Sequence, residues 1–186
     1  MGIYLSVIND DFTAPGRLVD RTYPRGRYTG DRVFRRLEPP VRKNGTRRSG
    51  ETIASVVQRI CRTVRPHSLD TILIFAHGHM NREAARQRGY GVPTIELGEG
   101  LNSTTASQFR RITHLWHRRY EPDTLTDFRF VVPRIEMHVC YAAEVWSRPV
   151  VQALARAARA PVFASGISQM VENLAFEGRV SRFNPF

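Results

Sequence analysis

A thiol and an imidazole each follow an apolar run and precede small residues. Thr71-Ile72-Leu73-Ile74-Phe75-Ala76 leads into His77-Gly78, and Ile135-Glu136-Met137-His138-Val139 leads into Cys140, with Ala142 and Ala143 just beyond. Such runs read as strands, and open α/β sheets bind and react beyond the carboxyl ends of their strands. Cys140 and His77, delivered to one sheet edge by two strands, would form a nucleophile and its base. Cys140 would attack a carbonyl carbon while His77 takes the thiol proton or is held with the thiolate as an ion pair. The N–H groups of Gly78 and Cys140 would hold the oxyanion, and Gly78 has no side chain to keep the backbone from a close approach. The chemistry implied is hydrolysis, of peptide bonds first. The competing reading is an inert buried thiol, because free Cys is among the most buried residue types. Cys61, on an apolar helical stripe between Ile60 and Arg62, is read that way.

Three further positions could touch substrate: His79 on the loop at the mouth, Tyr141 beside the thiol, and Ser165 after the last apolar run. His77-Gly78-His79 is also an H-x-H step, and alternation puts His138 on the strand face of Cys140. Those four residues could bind zinc. No Asp or Glu within residues 77–81 completes a familiar hydrolytic set, so neither metal nor cofactor is expected, and His138 is read as a packed, hydrogen-bonded histidine. Neither G-x-x-x-x-G-K-[ST] nor G-x-S-x-G occurs, which argues against a phosphate-cradling loop and a serine nucleophile elbow. His114 and His117 fall on polar and flanking helix faces beside Arg110, Arg118 and Arg119.

The elements that must position these groups alternate in type. Residues 2–8 read as a strand. Ile53, Val56, Val57, Ile60, Cys61 and Val64 mark one face of a helix ended by Pro66, and strand 71–76 follows. Residues 79–94 read as a long polar loop, and Thr94-Ile95-Glu96-Leu97 as a short strand or hairpin arm. Thr105 and Gln108 have capping-box spacing ahead of a helix carrying Phe109, Ile112, Leu115, Trp116 and Tyr120. Residues 128–140 are extended with a break at Pro133. Ser147 opens a helix ended by Pro161, Val162-Phe163-Ala164 is a last short strand, and residues 167–186 carry no readable pattern. This order implies a single α/β domain of three layers, with a mostly parallel sheet and helices on both faces.

With 186 residues the chain suffices for one well-buried domain and is short for two. Hydrophobic residues at 41% exclude a wholly disordered protein, and no apolar run approaches the ~20 residues of a membrane span. Asp10 and Asp11 interrupt any signal-peptide core, and two distant Cys suit a reducing compartment. The expected location is the cytoplasm, or another cell into which the protein is delivered as an effector or toxin. Met1-Gly2-Ile3-Tyr4-Leu5-Ser6 fits the short N-myristoylation pattern, although Ile3, Leu5 and Val7 are better explained as a strand.

Much of the net charge of +11 sits in residues 14–49, where eleven Arg or Lys face three acids, Asp20, Asp31 and Glu38. Four prolines and five glycines, counting Gly50, make that stretch an insertion or arm. Tyr23, Tyr28 and Phe34 interleave with the Arg, so the arm suits nucleic acid or an acidic partner. A basic binding module, catalytically inactive, is therefore the rival to an enzyme.

The chain resembles cysteine peptidases of the caspase-like fold: caspases, metacaspases, separase, clostripain-like enzymes and bacterial caspase-like modules. The resemblance lies in Ile72–Gly78, an apolar strand closed by His-Gly, and in Ile135–Ala143, an apolar strand closed by Cys and small residues. The hairpin at Thr94–Gly98, the helix from Thr105 and the helix and strand over 147–165 extend it. It implies a His77–Cys140 dyad with no obligatory third member, no metal, and a peptide laid along the sheet's carboxyl edge.

Overall fold

A computed structural model of the chain describes residues 3–8, 42–43, 46–47, 52–121, 132–169 and 175–186. Strands form where apolar and β-branched residues run together: β1 (Ile3–Ile8), β4 (Leu69–Ala76), β5 (Arg134–Val139), β6 (Val162–Ser165) and β7 (Val180–Phe183). They make one sheet in the order β1-β4-β5-β6-β7, parallel from β1 to β6 and antiparallel at β7. Of the basic arm, the described part is a two-residue antiparallel ladder of β2 (Arg42–Lys43) on β3 (Thr46–Arg47). The rest of the arm, its aromatic residues and the expected start of the 128–140 strand lie outside the described residues.

Helix α1 (Ile53–Thr63) starts where the Thr52 hydroxyl accepts from Ser55 N–H, and it buries Ile53, Val56, Val57 and Ile60. Between β4 and β5 the chain forms a short helix α2 (Arg82–Gln87), capped by the Asn81 side chain, inside the stretch expected to be loop. A 3-10 helix follows over Thr105–Leu115. Its buried residues, Ala106, Phe109, Ile112 and Leu115, recur every third position, which suits a helix of three residues per turn with i and i+3 eclipsed. The capping box closes three residues earlier than the spacing suggests. Asn102 Oδ1 accepts from Thr105 N–H (3.0 Å) while the Thr105 hydroxyl accepts from Asn102 N–H (2.9 Å). Helix α3 (Arg148–Ala158) starts on Pro149 in its first turn and ends at a left-handed Arg159.

The helices α1, 3-10 and α3 pack side by side and share one core with Ile72, Ile74, Ala76, Ile135, Met137, Val139, Val162 and Ala164. These strand residues alternate onto a single sheet face. Three of the described helices, α1, the 3-10 helix and α3, lie on this one face, in keeping with strands that run in sequence order from β1 to β6. Among the described residues the shared core puts no helix on the other face, where helices were also expected.

The opposite face carries Thr71, Leu73 and Phe75 of β4 against Arg134, Glu136 and His138 of β5. All six are buried. Arg134 Nε meets Glu136 Oε1 at 2.6 Å, and the His138 ring is sandwiched between Phe75 and Phe176 with centroids 4.9 and 4.6 Å away. Burial pushes the Glu136 carboxyl up, but His138 and Arg134 more than offset this and hold it below the usual carboxylate range. β7, where no pattern was legible, pairs Val162 with Phe183 and Ser165 with Val180 at the sheet edge.

Candidate active site

β4 and β5 are parallel neighbours whose last paired residues are Ala76 and Val139. His77 and Cys140 are the next residue of each, so the two positions follow neighbouring strand ends at the sheet's carboxyl edge. The contact between the two turns is close. A Cβ on Gly78 would fall 2.0 Å from the Cys140 carbonyl oxygen and 2.8 Å from a Val139 methyl. Glycine is required there for space. Among the described residues no backbone acceptor takes the Gly78 N–H.

Past Cys140 the chain turns through Tyr141, which holds a left-handed φ of 57°. Non-glycine residues rarely adopt this conformation, and it persists only where the surroundings impose it. Here Tyr141 N–H donates to Ile167 O (3.0 Å) and Ala143 N–H to Ser165 O (2.9 Å), tying the turn after β5 to the turn after β6. That second turn supplies what the sequence reading missed. Gln169 N–H points at Cys140 Sγ (3.3 Å), and Ser168 Oγ lies 3.5 Å from the sulfur. The buried Gln169 side chain fixes the loop. Its Nε2 donates to Ile167 O, Ser168 O and Glu177 O, and its Oε1 accepts from Glu177 N–H. No periodicity marks this stretch, which is why it was illegible.

His77 is held from the other side by Glu96, whose N–H donates to the His77 carbonyl (2.9 Å) in an antiparallel bridge. The expected hairpin arm is thus a tight loop in which Ile95 and Leu101 exchange both backbone hydrogen bonds. The Glu96 carboxylate lies 3.1 Å from His79 Nε2 and 3.3 Å from Arg88 Nε. Burial raises its pKa, and His79, Arg88 and His77 together outweigh that and lower it. An acid inside the apolar run Ile95–Leu97 was the available signal for this group.

His79 is 5% exposed, with its ring 5.5 Å from that of Tyr90 and its carbonyl accepting from the Ser147 hydroxyl. It sits beneath the site rather than at its mouth. Ser165 is fully buried, and its hydroxyl donates to Glu177 O (2.6 Å), clipping β6 to the tail. Tyr141 stays half-exposed beside the thiol. His138 is packed as expected, paired with Glu136 at 3.6 Å in place of the expected hydrogen bond. Among the described residues no three His, Cys, Asp or Glu side chains converge to hold a metal ion, and His77, His79, His138 and Cys140 are not brought together as a ligand set. Cys61 lies half-buried against the core, its thiol donating to Arg111 O and its pKa pushed up by burial.

The rim of this edge is apolar where it is exposed. Met80 (54%), Val145 (76%) and Ile167 (47%) stand on the turns that follow β4, β5 and β6. No helix among the described residues is long and apolar enough to cross a membrane. No family model matches the chain, and no curated protein or solved structure matches it either.

Proposed function

We propose that the protein is a cysteine endopeptidase of caspase-like fold acting through His77 and Cys140. The observation that supports this reading is the register of β4 and β5, which ends at Ala76 and Val139 and so has His77 and Cys140 following neighbouring strand ends at one sheet edge. The Cys140 sulfur receives the Gln169 N–H, a donor suited to stabilising a thiolate. In the reaction His77 takes the thiol proton, Cys140 sulfur adds to the peptide carbonyl carbon, and the Gly78 N–H faces the resulting oxyanion. Collapse expels the amine, which leaves with the proton from His77 and gives a thioester. Water, deprotonated by His77, then hydrolyses the thioester and restores the thiol. Met80, Val145 and Ile167 give the peptide an apolar rim against which to lie.

A peptide-library cleavage assay tests the proposal. Cys140→Ala and His77→Ala each abolish cleavage, with losses of at least about 10³-fold expected for members of a nucleophile–base pair. Cys61→Ala leaves turnover unchanged. Normal turnover by Cys140→Ala would sink the proposal.

A further inference from the structure

At the opposite, amino-terminal edge of the parallel strands lies a cavity of about 620 Å³. It is lined by His67, His114, His117, Arg118, Arg119 and Arg159 together with Trp116, Tyr120 and Phe186, and by no Asp or Glu side chain among the described residues. That volume falls within the range of small-molecule sites. His67 lies two residues before β4, Trp116 bridges Leu69, and Arg159 lies three residues before β6. An eight-residue β4 therefore separates this cavity from His77 by about 25 Å.

The cavity is built rather than merely basic. Of the three non-glycine residues with positive φ among the described residues, two line it, His67 (57°) and Arg159 (52°). Arg159 ends α3 in the left-handed conformation that glycine occupies more cheaply at a helix end. A guanidinium kept there against that preference points to a use for the side chain. Among the described residues no carboxylate pairs with Arg118, Arg119 or Arg159, whereas His117 Nδ1 is oriented by Asp70 at 3.2 Å. The aromatic side is equally fixed. Tyr120 OH accepts from Arg182 (2.8 Å) and donates to Asn184 (2.9 Å), with the Arg182 guanidinium over its ring at 5.5 Å. Phe186 stacks on Tyr120 at 6.0 Å and is 85% exposed, leaving a ring free to meet a further planar group. Trp116 is buried as the floor, its N–H spent on Ala158 O.

We propose that this cavity binds a nucleoside polyphosphate, its phosphates on Arg118, Arg119 and Arg159 and its base against Phe186. Guanidinium forks match phosphate oxygens, and an aromatic shelf accepts any base. The proposal stands on this cavity alone and does not depend on the peptidase reading.

Titration of the full chain with ATP, inorganic tripolyphosphate and adenosine, in magnesium-free buffer at physiological salt, tests it. ATP binds most tightly. Arg118→Ser/Arg119→Ser weakens ATP by roughly tenfold or more, as expected for lost charge-assisted hydrogen bonds. Phe186→Ala brings ATP down toward tripolyphosphate, a loss of about tenfold. Arg159→Gly separates binding from folding: it keeps or raises Tm while weakening ATP. Three results would each overturn the proposal: ATP affinity unchanged in Arg118→Ser/Arg119→Ser, adenosine binding as well as ATP, or capture of a single-stranded oligonucleotide by a chain that does not bind ATP.

Discussion

Cys140 and Cys61 are two thiols in one chain with different surroundings. Both reach a carbonyl, Cys61 that of Arg111 and Cys140 that of Gln169 (3.8 Å). Burial pushes Cys61 toward the neutral form, while Cys140 also receives the Gln169 N–H and stands beside His77's turn. Limiting iodoacetamide should therefore alkylate Cys140 ahead of Cys61, and His77→Ala should slow the labelling of Cys140. Cys61 labelling that outpaces Cys140 in the native chain would contradict the assignment. Gly78 supplies a second residue-scale prediction. Its missing Cβ would stand 2.0 Å from a backbone oxygen, so Gly78→Ala must separate the two strand ends. A loss of about 1–3 kcal/mol is expected in chemical denaturation, together with loss of cleavage. Both His77 and Gly78 were legible because a strand-closing His-Gly is a local signal. Gln169 reaches the same site across the fold and no local spacing records that contact, while Glu96 left only the trace of an acid inside an apolar run.

At the scale of elements, apolar periodicity located α1, β4, α3 and β6 because each buries one regular stripe or run in the common core. It found the 3-10 helix as a helix, and the strict three-residue recurrence was present in Ala106, Phe109, Ile112 and Leu115. It missed α2, which buries only Ala85, and β7, whose burial is mostly partial. Such elements are held by hydrogen bonds to neighbours more than by a stripe of their own. The turn after β6 is the functional case. Gln169 spends its side chain on Ile167, Ser168 and Glu177, and through them sets the N–H aimed at Cys140. Gln169→Ala should cost about 1–3 kcal/mol by leaving buried polar groups without partners. It should also slow Cys140 alkylation at pH 6 in chains that remain folded. A stability loss with unchanged alkylation would make Gln169 a structural clip alone.

For the whole molecule the decisive feature is strand order. Among the described residues a monotonic run from β1 to β6 has α1, the 3-10 helix and α3 on one face and gathers the turns after β4, β5 and β6 at one edge. The other face is left to the buried Arg134–Glu136–His138 row, and two buried acids become levers on global stability. Glu96 and Glu136 both titrate below the usual carboxylate range in the folded chain. Their pairing therefore stabilises the fold fully above the unfolded value of about 4.3, and this contribution is lost as pH falls through the depressed folded values. Denaturant midpoints measured from pH 6 to pH 3 should hold down to about pH 4.5 and then fall. Glu136→Gln removes the carboxylate that lies against both Arg134 and His138, so it should lower stability at neutral pH. The same variant should show a shallower acid limb, because one of the two depressed carboxylates no longer takes up a proton on unfolding. An acid limb as steep as that of the parent would mean that Glu136 does not couple folding to pH.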